Sequence, residues 1–314
     1  MAPSPNGDPL NTATSAMATA TLAVDSRCRL GEGIVWDERR QWLFWTDILS
    51  SRLWAHSPAD GATHAWELPE ALGCFALCND GGLLLALAKT IRLAKPPQPG
   101  MPLALRTLAD LEPALGAKTR SNDGRCDGRG NFVFGTKDET AATPPLGSFY
   151  QCSPAHGLRR LPLPPVAIPN SIAFSPDGRT LYYCDSMQPR IWCCDYDAAA
   201  ADIDNPRVFA EVEGGKAPDG STVDAEGGLW NAHWDGGRAV RYAPDGRVDR
   251  VVAIPAGMPS CCAIGGAAFD TLYVTTARED MDADALAAAP AAGGVFAFAL
   301  PAGSGAPEAR FAHA

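Results

Sequence analysis

Four oxygen-bearing side chains recur at nearly one phase of a repeat. Glu32 lies five residues before Asp37, Asn122 five before Asp127, Asp219 five before Asp224, and Asn170 seven before Asp177. Two carboxylates and two amides brought together make an all-oxygen set, which suits a hard divalent cation such as Ca²⁺, Mg²⁺ or Mn²⁺. Glu32 and Asp219 balance a 2+ charge and leave a roughly neutral pocket for a neutral substrate. Arg120, two residues from Asn122, brings five N–H donors to the same place. Singly, each has an ordinary explanation. Asn122-Asp123-Gly124 and Asp219-Gly220 are turn sequences, Asn170 follows a proline, and Glu32 sits between glycines. The shared phase is what sets them apart.

The elements that must position them follow from that phase. A short apolar stretch, an Asp-centred turn and a second apolar stretch occur six times, at Asp37, Asp80, Asp127, Asp177, Asp224 and Asp270. The separations are 43, 47, 50, 47 and 46 residues, close to the length of one four-stranded propeller blade. Each copy reads as strand, tight turn, strand. Further strand signals fall between copies, at Arg52–His56, Ser148–Cys152 and Ala239–Ala243. A helical turn or two is expected only over Asp280–Ala289. The pattern predicts an all-β, six-bladed β-propeller of four-stranded antiparallel blades over residues 20–314, after a flexible leader over 1–19 in which Met17 offers an alternative start. The first strand of each blade should be innermost, so residues just before it meet at one mouth of the central channel. To remove the open edge, Ala20–Asp25 should join the last blade beside Gly294–Leu300.

Composition bounds the reading from outside. Of 314 residues 46% are apolar and 20% charged, a globular rather than disordered balance. Gly and Pro supply 58 positions, which favours many turns and short strands. A formal charge of −10 excludes a general nucleic-acid binder. No apolar run reaches the roughly 18 residues that a membrane span needs. The leader has neither a basic nor an apolar region of the secretory kind. The ten cysteines include two adjacent pairs, Cys193-Cys194 and Cys261-Cys262, but no C-x-x-C, and read as buried reduced thiols of a cytoplasmic protein. A monomer or weak dimer is expected.

Several motifs together resemble the senescence-marker-protein/regucalcin/gluconolactonase family of sugar lactonases. They are L-G-E-G-I-V-W at Leu30–Trp36, R-S-N-D-G-R-C-D at Arg120–Asp127, I-P-N-S-I-A-F-S at Ile168–Ser175 and A-P-D-G-S-T-V-D-A-E-G-G-L-W at Ala217–Trp230. S-C-C at Ser260–Cys262, L-Y-V-T-T-A-R at Leu272–Arg278 and A-G-G-V-F at Ala292–Phe296 extend the match, which runs from about Arg27 to Phe298. The resemblance implies a six-bladed propeller with one divalent metal in the channel: calcium foremost, with zinc, manganese or magnesium as alternatives. It places metal ligands on Glu32, Asn170 and Asp219, the general base on Asp219, and substrate contacts on Arg120 and Asn122. After Gly135-Thr136 this chain departs from the family pattern, with Lys137-Asp138-Glu139-Thr140. An acidic substrate contact then falls on Glu139 or is lost, and Lys137 adds a donor.

The chemistry expected is hydrolysis of a sugar aldonolactone, of the L-arabinono-, D-galactono-, D-xylono- or D-gluconolactone type, to the aldonic acid. A 2+ ion polarises the carbonyl, and Asp219 takes the proton of water. Ser171 and Ser260 lack the G-x-S-x-G context of a serine hydrolase, and His233 is read as structural or at the rim. Two rivals stand beside this reading: a non-catalytic calcium-binding regulatory propeller, and a phosphotriesterase-like propeller hydrolase with a more aromatic pocket.

Overall fold

The Asp-centred turns at Asp37, Asp80, Asp127, Asp177 and Asp224 close because the carboxylate accepts backbone amides two or four residues on, whereas Asp270 accepts the Thr271 hydroxyl. Asp127 Oδ1 takes Arg129 N at 2.9 Å and Asn131 N at 3.0 Å, and Asp224 Oδ1 takes Glu226 N at 3.0 Å and Gly228 N at 2.8 Å. These are side-chain-capped turns that fix the register of the two strands they join. Repetition of the unit builds the six blades. The computed structural model describes residues 18–313, and within them six sheets form a six-bladed propeller.

The innermost strands of blades 1 to 6 are Gly31–Asp37, Leu72–Leu77, Thr119–Cys126, Pro169–Phe174, Ala217–Val223 and Pro259–Gly265. Each contacts the innermost strand of the next blade, and that of blade 6 contacts that of blade 1. The expected closing strand is present over Thr21–Val24, antiparallel to Val295–Ala299, so an early and a late segment together complete blade 6. Blade 5 carries a fifth strand that the repeat does not announce: Ala18–Thr19 lies parallel to Val252–Ala253. Of the leader expected over 1–19, residues 1–17 and the start at Met17 lie outside the described residues, while Ala18 and Thr19 belong to this added edge strand. The helical turn expected near Asp280 is Ala283–Ala288, whose N-cap Asp282 accepts Ala285 N at 2.8 Å.

The core lies between blades rather than inside one. Six apolar clusters each join two neighbours. Because successive residues of a strand face opposite sides, adjacent cysteines part company. Cys261 packs toward blade 1 and Cys262 toward blade 5. Cys193 packs toward blade 5 and Cys194 toward blade 3. All ten thiols are free and buried, as the sequence led us to expect, and burial raises those of Cys261 and Cys262 above the ordinary thiol range.

Residues 301–313 cross the turn end of the channel. Arg310 pairs with Asp37 at 2.6 Å and Glu38 at 2.8 Å, Glu308 pairs with Arg125, and Phe311 is buried between blades 2 and 3. Two consequences are measurable. The native protein should leave its ten thiols unreactive toward a thiol reagent, and all ten should react after denaturation without reductant; a smaller number would reveal disulfides. Phe311→Ala should cost about 3–5 kcal/mol in denaturant unfolding.

Candidate functional site

The same irregularity occurs in all six innermost strands. Pairing with the second strand slips between Glu32 and Val35, Leu72 and Cys74, Ser121 and Gly124, Asn170 and Ala173, Pro218 and Ser221, and Pro259 and Cys261. A bulge re-aims side chains and adds local twist. Glu32, Asn122, Asn170 and Asp219 lie at or beside their bulges. They therefore sit inside the innermost strands rather than just before them, where the turn spacing had put them. At two bulges the backbone is left-handed: Gly33 has φ +57°, and the buried Ser171 has φ +61°. Glycine adopts this conformation readily, whereas serine is strained in it. Beside Asp219, a Cβ on Gly220 would meet Cys261 Sγ at 2.5 Å, so only glycine lets blades 5 and 6 approach here.

Carboxylates at the ends of the second strands hold the entering segments. Asp47 accepts Arg29 N at 3.0 Å and Leu30 N at 3.1 Å, just ahead of Glu32. Asp185 accepts Ala167 N at 2.9 Å and Ile168 N at 3.1 Å, just ahead of Asn170. Blades 1 and 4 thus use one device to set a site residue.

A cavity of about 630 Å³ opens at this end, lined by Glu32, Arg120, Asn122, Asn170 and Asp219. Lys137, Ser186, Trp234, Asp235, Glu279 and Asp280 also line it, with Met187, Met258 and Met281 on an apolar wall. Arg120 Nη1 donates to Asn122 Oδ1 and to Ser121 O, both at 2.8 Å. Asn122 Nδ2 donates to Asn170 Oδ1 at 2.9 Å and to Pro169 O at 3.0 Å. Glu139 lies outside the lining and pairs with Arg120 Nε at 2.9 Å, while Lys137 Nζ is 4.0 Å from the same carboxylate.

Glu32 and Asp219 are 7% and 4% exposed and lie within one another's electrostatic reach. Burial raises both above the usual carboxylate range; repulsion from Asp123 adds to this at Glu32, and repulsion from Glu32 and Asp123 at Asp219. Asp219 Oδ1 is buried without a hydrogen-bond partner. Asp123 accepts Gly124 N at 2.8 Å and, across the blade boundary, Ile172 N at 2.9 Å, yet desolvation still raises it. Sequence reading passed over this third carboxylate because N-D-G reads as a turn. Among the described residues no three His, Cys, Asp or Glu side chains form a metal-holding group. The set able to hold a cation is mixed: Glu32, Asp219 and the Asn170 amide oxygen.

His233 does not line the cavity. Burial lowers it to about 3, Arg238 Nε donates to its Nδ1 at 3.1 Å, and its Nε2 is 3.1 Å from Tyr242 Oη, so both ring nitrogens are engaged. Ser171 Oγ is 2.7 Å from Ser221 Oγ, and Ser260 Oγ bonds Gly31 O and Thr275 Oγ1; neither serine hydroxyl bonds a histidine. Ser186, Trp234, Met258 and Glu279 carried no sequence signal, since they lie on loops outside the repeat phase or at its trailing edge.

The model of the SMP-30/Gluconolactonase/LRE-like region matches residues 30–278. The chain is 47% identical over 296 residues to an L-arabinolactonase of Azospirillum brasilense, covering 93% of this chain and 95% of that protein. It is 37% identical to a 6-deoxy-6-sulfogluconolactonase of Pseudomonas putida, over 85% of this chain and 90% of that one. Among solved structures, a calcium-binding protein, regucalcin, of Agrobacterium tumefaciens superposes with a TM-score of 0.85 at 31% identity, covering 95% and 98% of the two chains.

The carboxyl pair makes a stability prediction. A carboxyl raised in the fold contributes stability below its ordinary value, 4.5 for Glu32, and loses it as pH rises through the raised value. Chelator-treated protein should therefore lose melting temperature between pH 5 and pH 8. Glu32→Gln, which removes one buried charge, should flatten that slope and melt higher at pH 8. Equal slopes in the two proteins would contradict the charge burial.

Proposed function

The chain belongs to the SMP-30/Gluconolactonase/LRE-like family, and from that premise we propose that it hydrolyses a neutral sugar aldonolactone of the L-arabinono-, D-galactono-, D-xylono- or D-gluconolactone type to the aldonic acid. The observation that carries the reading is the hydrogen-bonded row Arg120–Asn122–Asn170 set beside two buried carboxyls in one cavity. The lactonase names of the two curated relatives point the same way.

The residues present fit a hard divalent cation, calcium foremost. Asp219 Oδ1 is buried and unpartnered, and two buried carboxyls side by side need positive charge. Glu32, Asp219 and Asn170 Oδ1 would hold it. Such an ion, when bound, supplies Lewis-acid polarisation of the lactone carbonyl and charge for the oxyanion.

The chain's own groups do the rest. Asp219 accepts a proton from the water that adds to the carbonyl. The ring C–O bond then breaks, and the leaving alkoxide takes the proton that Asp219 accepted, which restores the carboxylate. Arg120 spends Nη1 and Nε on Ser121, Asn122 and Glu139, which leaves Nη2 for sugar hydroxyls. Both Asn122 amide hydrogens are engaged, so it offers substrate only its oxygen. Glu139 thus acts by holding Arg120, and Lys137, lining the cavity, adds a donor. Among the described residues Trp234 is the one aromatic in the lining, which disfavours the aromatic pocket of a phosphotriesterase-like hydrolase. A purely calcium-binding module, as the name regucalcin suggests for a relative, would not require the Arg120–Asn122 arrangement.

Asp219→Asn should lower kcat by about 10²–10⁴-fold with the fold intact. Arg120→Ala should act mainly on KM, by about ten- to hundredfold. An aldonolactone panel read with a pH indicator, with and without chelator, checks both. If no lactone is cleaved above its spontaneous rate with cation present, the cation-binding reading replaces this one.

A further inference from the structure

The amide orientations in the cavity are fixed from both ends. Arg120 can only donate, so the Asn122 atom facing its Nη1 at 2.8 Å must be the oxygen. Asn122 Nδ2 therefore points at two acceptors, Pro169 O at 3.0 Å and Asn170 Oδ1 at 2.9 Å. At the other end Pro218 O can only accept, so Ser186 Oγ donates to it at 2.6 Å. The Ser186 oxygen is then left to accept from Asn170 Nδ2 at 2.9 Å. The two ends agree on one answer: Asn170 turns its oxygen toward Asn122 and its nitrogen toward Ser186. Rotating the Asn170 amide by half a turn would set nitrogen against nitrogen at Asn122 and leave Ser186 without a donor.

We propose that Ser186 is the positioning residue of this site: by anchoring Asn170 Nδ2 to Pro218 O, it keeps Asn170 Oδ1, an oxygen rather than an N–H, at the place where a hard cation would sit. The inference rests on the cation site proposed above. It follows from the side-chain chemistry that an amide presenting N–H₂ to a cation repels it, whereas its oxygen is a ligand. The geometry makes Ser186 suited to the task. It follows the second strand of blade 4, its N–H donates to Ile168 O at 3.0 Å, and Asp185 beside it holds Ile168 N. Its acceptor Pro218 immediately precedes Asp219. One hydroxyl thereby ties the Asn170 strand of blade 4 to the Asp219 strand of blade 5. Groups behind a ligand typically set its affinity by ten- to hundredfold.

The test is calorimetric titration of the full chelator-treated chain with Ca²⁺ and, separately, Mn²⁺, for wild type, Ser186→Ala and Ser186→Thr. Ser186 is half-buried on a turn, and melting temperatures close to wild type are required of both variants before titration. Ser186→Ala should weaken cation binding by about tenfold or more, with Ser186→Thr, which keeps the hydroxyl, close to wild type. Lactone turnover by Ser186→Ala at limiting Ca²⁺ should recover as Ca²⁺ is raised, which a general structural defect would not do. Unchanged affinity in Ser186→Ala, or equal weakening in both variants, overturns the role of the hydroxyl while leaving the cation site standing. A wild-type chain that binds neither ion overturns the cation site and this inference with it.

Discussion

Two carboxyl groups that nobody would place side by side in a low-dielectric interior control this structure. Glu32 and Asp219 are buried together, with Asp123 nearby; burial raises all three, Asp123 adds to the cost of ionising both others, and Glu32 adds to it at Asp219. Such an arrangement survives only where the surrounding fold over-determines it and where positive charge can be recruited. Arg120 supplies part of that charge, but it is itself held by Glu139 and Asn122. The remaining deficit is what makes this end of the channel a cation site in our account. The other end is electrostatically closed, with Arg125 answered by Glu308 and Arg310 by Asp37 and Glu38.

The propeller supplies the rigidity that the carboxyl pair needs. Because the core is spread over the blade boundaries, no blade can turn without disturbing two clusters. Polar bonds stitch the same boundaries near the axis: Thr46 Oγ1 to Leu72 O at 2.9 Å, Ser121 Oγ to Ala86 O at 2.7 Å, Asp123 to Ile172 N, and Ser171 to Ser221. The bulges of blades 1, 3, 4 and 5 then set Glu32, Asn122, Asn170 and Asp219 against the cavity.

Much of this was legible in the sequence, because the Asp turn is a local device with a fixed period. It disclosed the blade count, the closing strand beside Val295–Ala299 and the common level of Glu32, Asn122, Asn170 and Asp219. The bulges were not legible. An extra residue in a strand leaves no mark when the strand is buried on both faces, so the site residues were placed before their strands instead of within them. Asp123 was hidden by its own turn-like neighbours. Ser186 and Glu279 come from loops, where no periodicity constrains identity. The parallel strand at Ala18–Thr19 and the crossing of residues 301–313 both arise from chain outside the repeat.

The central claim is that the buried carboxyl pair holds its protons only until a cation replaces them. Calorimetric titration of chelator-treated protein with Ca²⁺ at pH 7, repeated in buffers of different ionisation enthalpy, counts the protons exchanged on binding. The account predicts saturation at one ion per chain with net proton release, and less release as the pH is raised. Binding with no dependence on the buffer, or proton uptake, would contradict it.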